Sequence, residues 1–307
     1  MKKWWFIWIL LLCMHSFSQE SCLPDYDLPV QKIQLGNNLQ LAYVEAGKGR
    51  PLIFIHGLGG NLSHFTKNIK GLSSDYRVIA IDLPGYGHSL QEYDAGNDPL
   101  QLYAEVIAEF IKKKKLKKVA LAGHSMGGQI AVIAALSHPK KIKKIILLAP
   151  AGLETFTEAE AQILINATKP EVFEKQEEAV IRFNYKQNFY QLPVDAEKLI
   201  QDRLRLKNCT GFNIYTHTVS NGVKGMLYHP VRSKLQLIKQ PVLLVFGEED
   251  ALIPNKYLHP ALTKKQLLEE AGKEIKKIKI IEIKEAGHLL QFEKWQEVNT
   301  AIKQFLN

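Results

Sequence analysis

Five residues, Gly123-His124-Ser125-Met126-Gly127, constrain this chain more than any other feature. They stand between an apolar run at 119–122 (Val-Ala-Leu-Ala) and an apolar helical run at 129–136 that stops at His138-Pro139. A short run with no polar alternation reads as a strand buried on both faces. A serine on a tight turn from such a strand into a helix projects its hydroxyl beyond the sheet edge. Flanking glycines let neighbouring backbone close on the turn, where a Cβ would collide. The helix N-terminus adds partial positive charge where an oxyanion would form. Ser125 is therefore the candidate nucleophile.

The runs around it set the fold class. Residues 51–55 (PLIFI), 77–81 (RVIAI), 142–148, 241–246 (PVLLVF) and 278–283 (IKIIEI) are further strand-like runs. Between them, 100–111 places Leu100, Tyr103, Ala104, Ile107, Phe110 and Ile111 on one helical face, and 292–305 reads as a closing helix. Residues 31–46 read as a hairpin turning at Gly36-Asn37-Asn38. Strands alternating with helices predict an α/β fold with a mostly parallel central sheet and helices on both faces. From 152 to 233 the strand signal disappears, and the stretch is polar and helical, punctuated by Pro170, Pro193 and Pro230. This predicts one core, 19–151 with 234–307, interrupted by a helical cap at 152–233.

A serine needs a base, and the base needs an acid to orient it. His288 follows Glu285-Ala286-Gly287 just past the last strand, and Asp250 follows Gly247-Glu248-Glu249 just past PVLLVF. Both fall at the sheet edge that carries Ser125, where open α/β sheets place their sites. Glu248 and Glu249 compete for the acid role, but the first residues of that turn should point away from the cleft. Two backbone donors are needed for an oxyanion. The Met126 N–H follows the nucleophile, and the Leu58 N–H lies in His56-Gly57-Leu58-Gly59-Gly60 after PLIFI. His56 and His124 read as structural groups of these turns. His64, His88, His138, His217, His229 and His259 show no ligand spacing, and neither HExxH nor CxxC occurs. No metal and no cofactor is expected. Phe183, Tyr185, Phe189, Tyr190, Phe212 and Tyr215 of the insertion could line an acyl pocket, but most of them read as packing for small helices.

Taken together, these motifs, with Asp82-Leu83-Pro84-Gly85-Tyr86-Gly87-His88-Ser89 and Gly128, resemble the α/β-hydrolase superfamily over nearly the whole chain. Ala149-Pro150-Ala151-Gly152-Leu153 and Gly287-His288 followed by Gln291 and Glu293 look like its capped serine hydrolases. Those include monoacylglycerol lipase-like esterases and meta-cleavage product hydrolases. The resemblance implies a mobile cap over the serine. Ser125 argues against haloalkane dehalogenases and epoxide hydrolases, which carry Asp there, and Met126 departs from proline iminopeptidases.

The N-terminus reads as an export signal. Lys2 and Lys3 precede an eleven-residue apolar run, 4–14 (WWFIWILLLCM), and Ser16 and Ser18 are small residues at the positions a signal peptidase reads. Cleavage is expected between Ser18 and Gln19, giving a signal peptide of 1–18. The alternative is retention as a membrane anchor, although a span needs about 20 apolar residues. Export would leave Cys22 and Cys209, which an oxidising compartment allows to pair.

The formal charge of +9 comes from 40 Lys and Arg against 31 Asp and Glu. Lysines cluster at 112–118, 140–144 and 273–279, each just before a strand-like run. No aromatic residues interleave with them and no nucleic-acid module is present, so no nucleic-acid partner is expected. Solvated loops and helix ends account for the clusters, with weak attraction to anionic membrane surfaces as the remaining expectation. The combined expectation is an exported carboxylesterase or small lipase acting on a small-molecule ester through an acyl-enzyme on Ser125. The rivals are the same triad acting on a carbon–carbon bond, amide or thioester, and a non-catalytic binding protein of this fold.

Overall fold

The computed structural model describes residues 22–36 and 38–307. The signal-peptide expectation for 1–18 lies outside them, as does the turn residue Asn37. Eight strands form one sheet: β1 Gln31–Gln34, β2 Gln40–Ala46, β3 Pro51–Ile55, β4 Arg77–Ile81, β5 Val119–His124, β6 Ile142–Leu148, β7 Val242–Gly247 and β8 Ile278–Ile283. Their order is β1-β2-β4-β3-β5-β6-β7-β8. β1 and β2 form the expected hairpin, and β2 runs antiparallel to β4. From β4 to β8 every pair is parallel. β3, β5 and β7 are buried along their full lengths, as apolar runs covered on both faces must be.

The helices of the core are α1 Thr66–Leu72, α2 Pro99–Lys113 and α3 Met126–Ser137. All six residues of the expected α2 face are buried. Asp98 caps that helix by accepting the Gln101 N–H at 3.0 Å, with Pro99 in the first turn. α3 begins three residues before the apolar run, directly after Ser125.

Between β6 and β7 the chain forms α4 Glu158–Ala167, α5 Pro170–Glu174, α6 Glu178–Lys186, α7 Glu197–Lys207 and α8 Phe212–Tyr228, without a strand. The chain then adds α9 Lys264–Glu274, α10 Leu290–Glu293 and α11 Trp295–Leu306. The last two correct the single closing helix expected over 292–305. Lys294 leaves helical geometry at φ −116° and ψ 47°. The apolar spacing runs through this break, so periodicity does not register it. The cause is tertiary: α10 is drawn beneath the His288 turn by the Gly287 N–H, which donates to Glu293, while α11 docks on α1 through Asn299, which accepts from Asn68 at 2.8 Å.

The N-terminal segment ties the insertion to the core. Cys22 is disulfide-bonded to Cys209 in the α7–α8 turn, with Cα atoms 5.8 Å apart. Four residues later, buried Tyr26 donates its hydroxyl to Asp82 at 2.8 Å, and the Pro24 carbonyl accepts from His88 Nε2 at 2.7 Å. Among the described residues no helix is long and apolar enough to cross a membrane.

Candidate active site

Ser125 sits where β5 turns into α3, at φ 53° and ψ −119°. L-residues rarely adopt that region, and it costs about 1–3 kcal/mol. The surroundings hold it. Its N–H donates to Leu148 at 3.0 Å, and its carbonyl accepts from Gly128 at 2.9 Å and Ala151 at 3.0 Å. The flanking glycines are needed for close approach. A Cβ on Gly123 would overlap the Gly127 carbonyl, and one on Gly127 would stand 2.6 Å from the His56 carbonyl oxygen.

The same packing presses the loop after β3 against the turn. Gly57 approaches so closely that a Cβ there would lie 3.0 Å from the Ser125 Cβ. Among the described residues neither the Leu58 nor the Met126 amide donates to a protein acceptor, so both remain available to a bound oxygen. Asp82, at the end of β4, braces this loop. Its Oδ1 accepts the Leu62 N–H at 2.9 Å, and its Oδ2 accepts from Tyr26 and from the His88 N–H, both at 2.8 Å. Burial pushes the Asp82 carboxyl up to about 6. His56 lies beneath, its Nε2 accepting the Leu83 N–H at 3.1 Å, and burial brings it down to about 4, so it stays neutral.

β7 and β8 are neighbours, and so their following turns meet. The His288 Nδ1–H donates to Asp250 Oδ2 at 2.8 Å, with both side chains buried. The other Asp250 oxygen accepts the N–H groups of Leu252 at 2.8 Å and Ile253 at 3.1 Å. This anchoring fixes the carboxylate and leaves one oxygen for the imidazole. Glu248 and Glu249 are exposed while Asp250 is buried, as expected for that turn. With Nδ1 committed, Nε2 is the His288 nitrogen free to take a proton.

Sequence reasoning missed two supports, Glu293 and Asp82, and gave the third, His124, only as a structural group of its turn. His124 Nε2 donates to the His288 carbonyl at 2.9 Å, fastening the base loop to the residue before Ser125. Burial holds the His124 imidazole well below its usual range, so it does this as a neutral donor. Glu293 accepts the Gly287 N–H at 2.8 Å and the Gln191 N–H at 2.7 Å. Asp82, quoted only as part of a motif, is the brace described above. For Glu293 the Gly-His…Glu spacing at 287–293 is the hint in the sequence.

The insertion lies over the site. Gly222 of α8 packs on the Leu58 and Met126 side chains, and the Tyr215 hydroxyl donates to the Gly59 carbonyl at 2.7 Å. The Leu289 N–H donates to Asn188 at 2.8 Å. A cavity of about 170 Å³ lies between, lined by Leu58, Tyr185, Arg203, Tyr215, Val219 and Leu289 among others. Of the insertion aromatics, Phe189, Phe212 and Tyr215 are buried, but Phe183 and Tyr190 are exposed at 60% and 52% and pack no small-helix core. Among the described residues no cluster of His, Cys, Asp or Glu is arranged to hold a metal ion.

A strained serine on the strand-to-helix turn, two open amides beside it and a buried His–Asp pair at the same sheet edge form an arrangement whose chemistry suits acyl transfer. The family model for the alpha/beta hydrolase fold matches residues 50–294. Lipase 1 of Psychrobacter immobilis is 28% identical over 292 residues, covering 91% of this chain and 84% of that protein. The dihydrolipoyllysine-residue acetyltransferase component of the acetoin cleaving system of Pseudomonas putida is 29% identical over 286 residues, covering 90% and 69%. The meta-cleavage product hydrolase of Pseudomonas fluorescens IP01 superposes with a TM-score of 0.72, covering 92% and 99%; at 20% identity this is a likeness of fold. On these grounds the chain belongs to the α/β-hydrolase fold family and is an esterase- and lipase-like hydrolase.

Proposed function

We propose that the protein hydrolyses carboxylic esters through an acyl-enzyme on Ser125. The observation that carries this is the buried His288–Asp250 hydrogen bond at the sheet edge where Ser125 is held. In this reading Ser125 Oγ attacks the ester carbonyl while His288 Nε2 takes its proton. Asp250 keeps the Nδ1–H tautomer and stabilises the imidazolium. The Leu58 and Met126 N–H groups bind the oxyanion. His288 then protonates the departing alcohol. Water, activated by the same imidazole, releases the acid and restores Ser125. A lipase among the relatives supports the ester as substrate. The Cys22–Cys209 disulfide supports export, because such bonds persist in oxidising compartments. Export follows cleavage near Ser18-Gln19 in this reading.

A chromogenic ester panel and labelling by an active-site phosphonate test the proposal. Ser125→Ala or His288→Ala is expected to lower kcat by about 10⁴–10⁶-fold with the fold retained. Asp250→Asn is expected to lose far more activity than Glu248→Gln or Glu249→Gln. Activity retained in Ser125→Ala would overturn the nucleophile, and equal losses at the three carboxylates would overturn the acid. Failure of the phosphonate to label Ser125 would favour a binding protein without turnover. Labelling without ester cleavage would favour a carbon–carbon, amide or thioester bond.

A further inference from the structure

The lysine clusters at 112–118, 140–144 and 273–279 precede or open β5, β6 and β8. Strands β3 to β8 run parallel to one another, so their starts share one edge of the sheet and their ends share the other. Three stretches far apart in sequence therefore gather on the edge opposite Ser125. The six residues of β5, at about 3.3 Å each, put that edge about 20 Å from the serine. Of the lysines in these clusters, only Lys113 and Lys114 make an ion pair among the described residues. The carboxylates beside them are already engaged. Glu45 pairs with Arg77 and Lys114, Glu274 with Arg232, and Asp75 with Lys303.

A cavity of about 230 Å³ opens at this edge, under the middle strands β3, β5 and β6. Pro51, Val119 and Leu306 supply apolar wall. Arg50, Lys118, Lys143 and Lys144 supply four cations, and no acidic side chain lines it. Two of the cations are fixed. Arg50 Nη1 donates to the Leu306 carbonyl at 2.8 Å, and Lys144 Nζ donates to the Phe305 carbonyl at 2.6 Å. Lys118 and Lys143 are exposed. Burial, and then the Arg50 charge, lower the Lys144 ammonium below its ordinary value. A negative group placed among these cations would relieve their repulsion.

The partner is read from this combination. Unpaired lysines spread along a whole edge suit an extended anionic surface, not one small ion. An apolar hollow ringed by cations suits a headgroup whose phosphate meets the charges while its glycerol and first acyl carbons meet Pro51, Val119 and Leu306. The lysine clusters carry no interleaved aromatic side chains on which nucleic-acid bases could stack.

We propose that this edge docks on an anionic membrane surface, with a lipid phosphate at the cavity of Arg50 and Lys144. Docked in this way, the protein holds the Ser125 edge and the insertion away from the lipid. The attraction is electrostatic, grows with each lysine brought near the surface and fades beyond a Debye length. It does not depend on the reaction at Ser125.

Sedimentation of the mature protein with vesicles tests the docking, using phosphatidylcholine alone and phosphatidylcholine with about 30% phosphatidylglycerol. The ratio of the two affinities reads the contribution of charge, whether or not the leader is retained. At about 0.1 M salt the anionic vesicles are expected to bind about tenfold or more tightly, and about 0.5 M salt should remove the preference. Lys118→Glu with Lys143→Glu should cut the preference about tenfold. The same two reversals on the Ser125 side, Lys175→Glu with Lys256→Glu, should change it by no more than about twofold. Equal affinity for the two vesicles, a preference that survives the higher salt, or equal losses in the two double variants would overturn the proposal. Tighter binding to duplex DNA than to the anionic vesicles at the same salt would overturn the lipid as partner. Thermal melts check that the variants fold. If Lys118→Glu with Lys143→Glu does not, Lys276→Glu with Lys277→Glu reads the same edge.

Discussion

Glu293 holds the Gly287 amide at 2.8 Å, and so the turn that presents His288 hangs from the end of α10. The same carboxylate reaches into the insertion, accepting the Tyr190 N–H at 3.2 Å and the Gln191 N–H at 2.7 Å. One side chain thus fixes the candidate base and the insertion backbone beside it. Glu293→Ala is expected to lower kcat about ten- to a hundredfold and to cost about 1–3 kcal/mol for the buried Gly287 amide left without an acceptor. Glu293→Gln keeps one carbonyl oxygen and should recover part of kcat. Steady-state kinetics with denaturant melts on both variants check this; an unchanged kcat in Glu293→Ala would remove the positioning role.

Two glycines near the serine should respond differently to the same added methyl. At Gly127 a Cβ meets the backbone carbonyls of Ile55 and His56, which cannot move without shifting β3. Gly127→Ala is expected to destabilise by about 1–3 kcal/mol and to lose most activity. At Gly222 a Cβ meets the tip of Leu58, 2.7 Å from its Cδ1, and a side-chain tip can rotate away. Gly222→Ala should therefore leave stability within about 0.5 kcal/mol while changing KM. Equal destabilisation of the two variants in chemical melts would contradict this assignment.

The buried histidines make stability depend on acid. Burial lowers His56 to about 4 and His64 to about 3, and takes His124 well below its usual range. Below about pH 6.5 the unfolded chain protonates these groups while the folded chain does not, so stability falls with pH by about 1.4 kcal/mol per unit for each. Asp82 works against this. Its carboxyl is raised to about 6, so from about pH 4 to 6 the folded chain keeps a proton that the unfolded chain has released. The net expectation is declining stability below pH 6, and a slope one proton steeper in Asp82→Asn. Urea melts from pH 7 to pH 4 measure both; a flat profile would mean the histidines are accessible to protons.

The disulfide closes a loop of 187 residues, for which chain entropy suggests a stabilisation of up to about 5 kcal/mol. Cys22→Ser or a reductant is expected to lower Tm and to loosen the α7–α8 turn first, since that turn is where Cys209 is held. Thiol titration of denatured, unreduced mature protein should find almost no free thiol. Two free thiols per chain would show that the pair is not formed.

The placement of Ser125, Asp250 and His288 was legible because each lies just beyond a strand whose apolar run is unmistakable, with glycine at hand in the turn. Their convergence needs only the rule that parallel strands deliver their C-terminal ends to one edge. Leu58 and Met126 follow from the same rule. The break at Lys294, the outward faces of Phe183 and Tyr190, and the reach of Glu293 to Gln191 were not legible. Each depends on where another segment docks.

The sequence by itself determined the sheet, the strand ends and the residues gathered at them, because buried strands and tight turns carry local signatures in hydrophobicity and glycine. Tertiary structure alone decided what stands over those residues. The insertion helices α5 and α6 are short and bury few side chains, so their periodicity does not specify a docking face. Only once they are packed does Gly287 lie so close to the Tyr190 amide that a Cβ would stand 2.6 Å from its nitrogen, and only then does the Arg203 guanidinium rest against two aromatic rings without a counter-ion. Burial and pairing of a charge are properties of the assembled neighbourhood, and no window of sequence contains them.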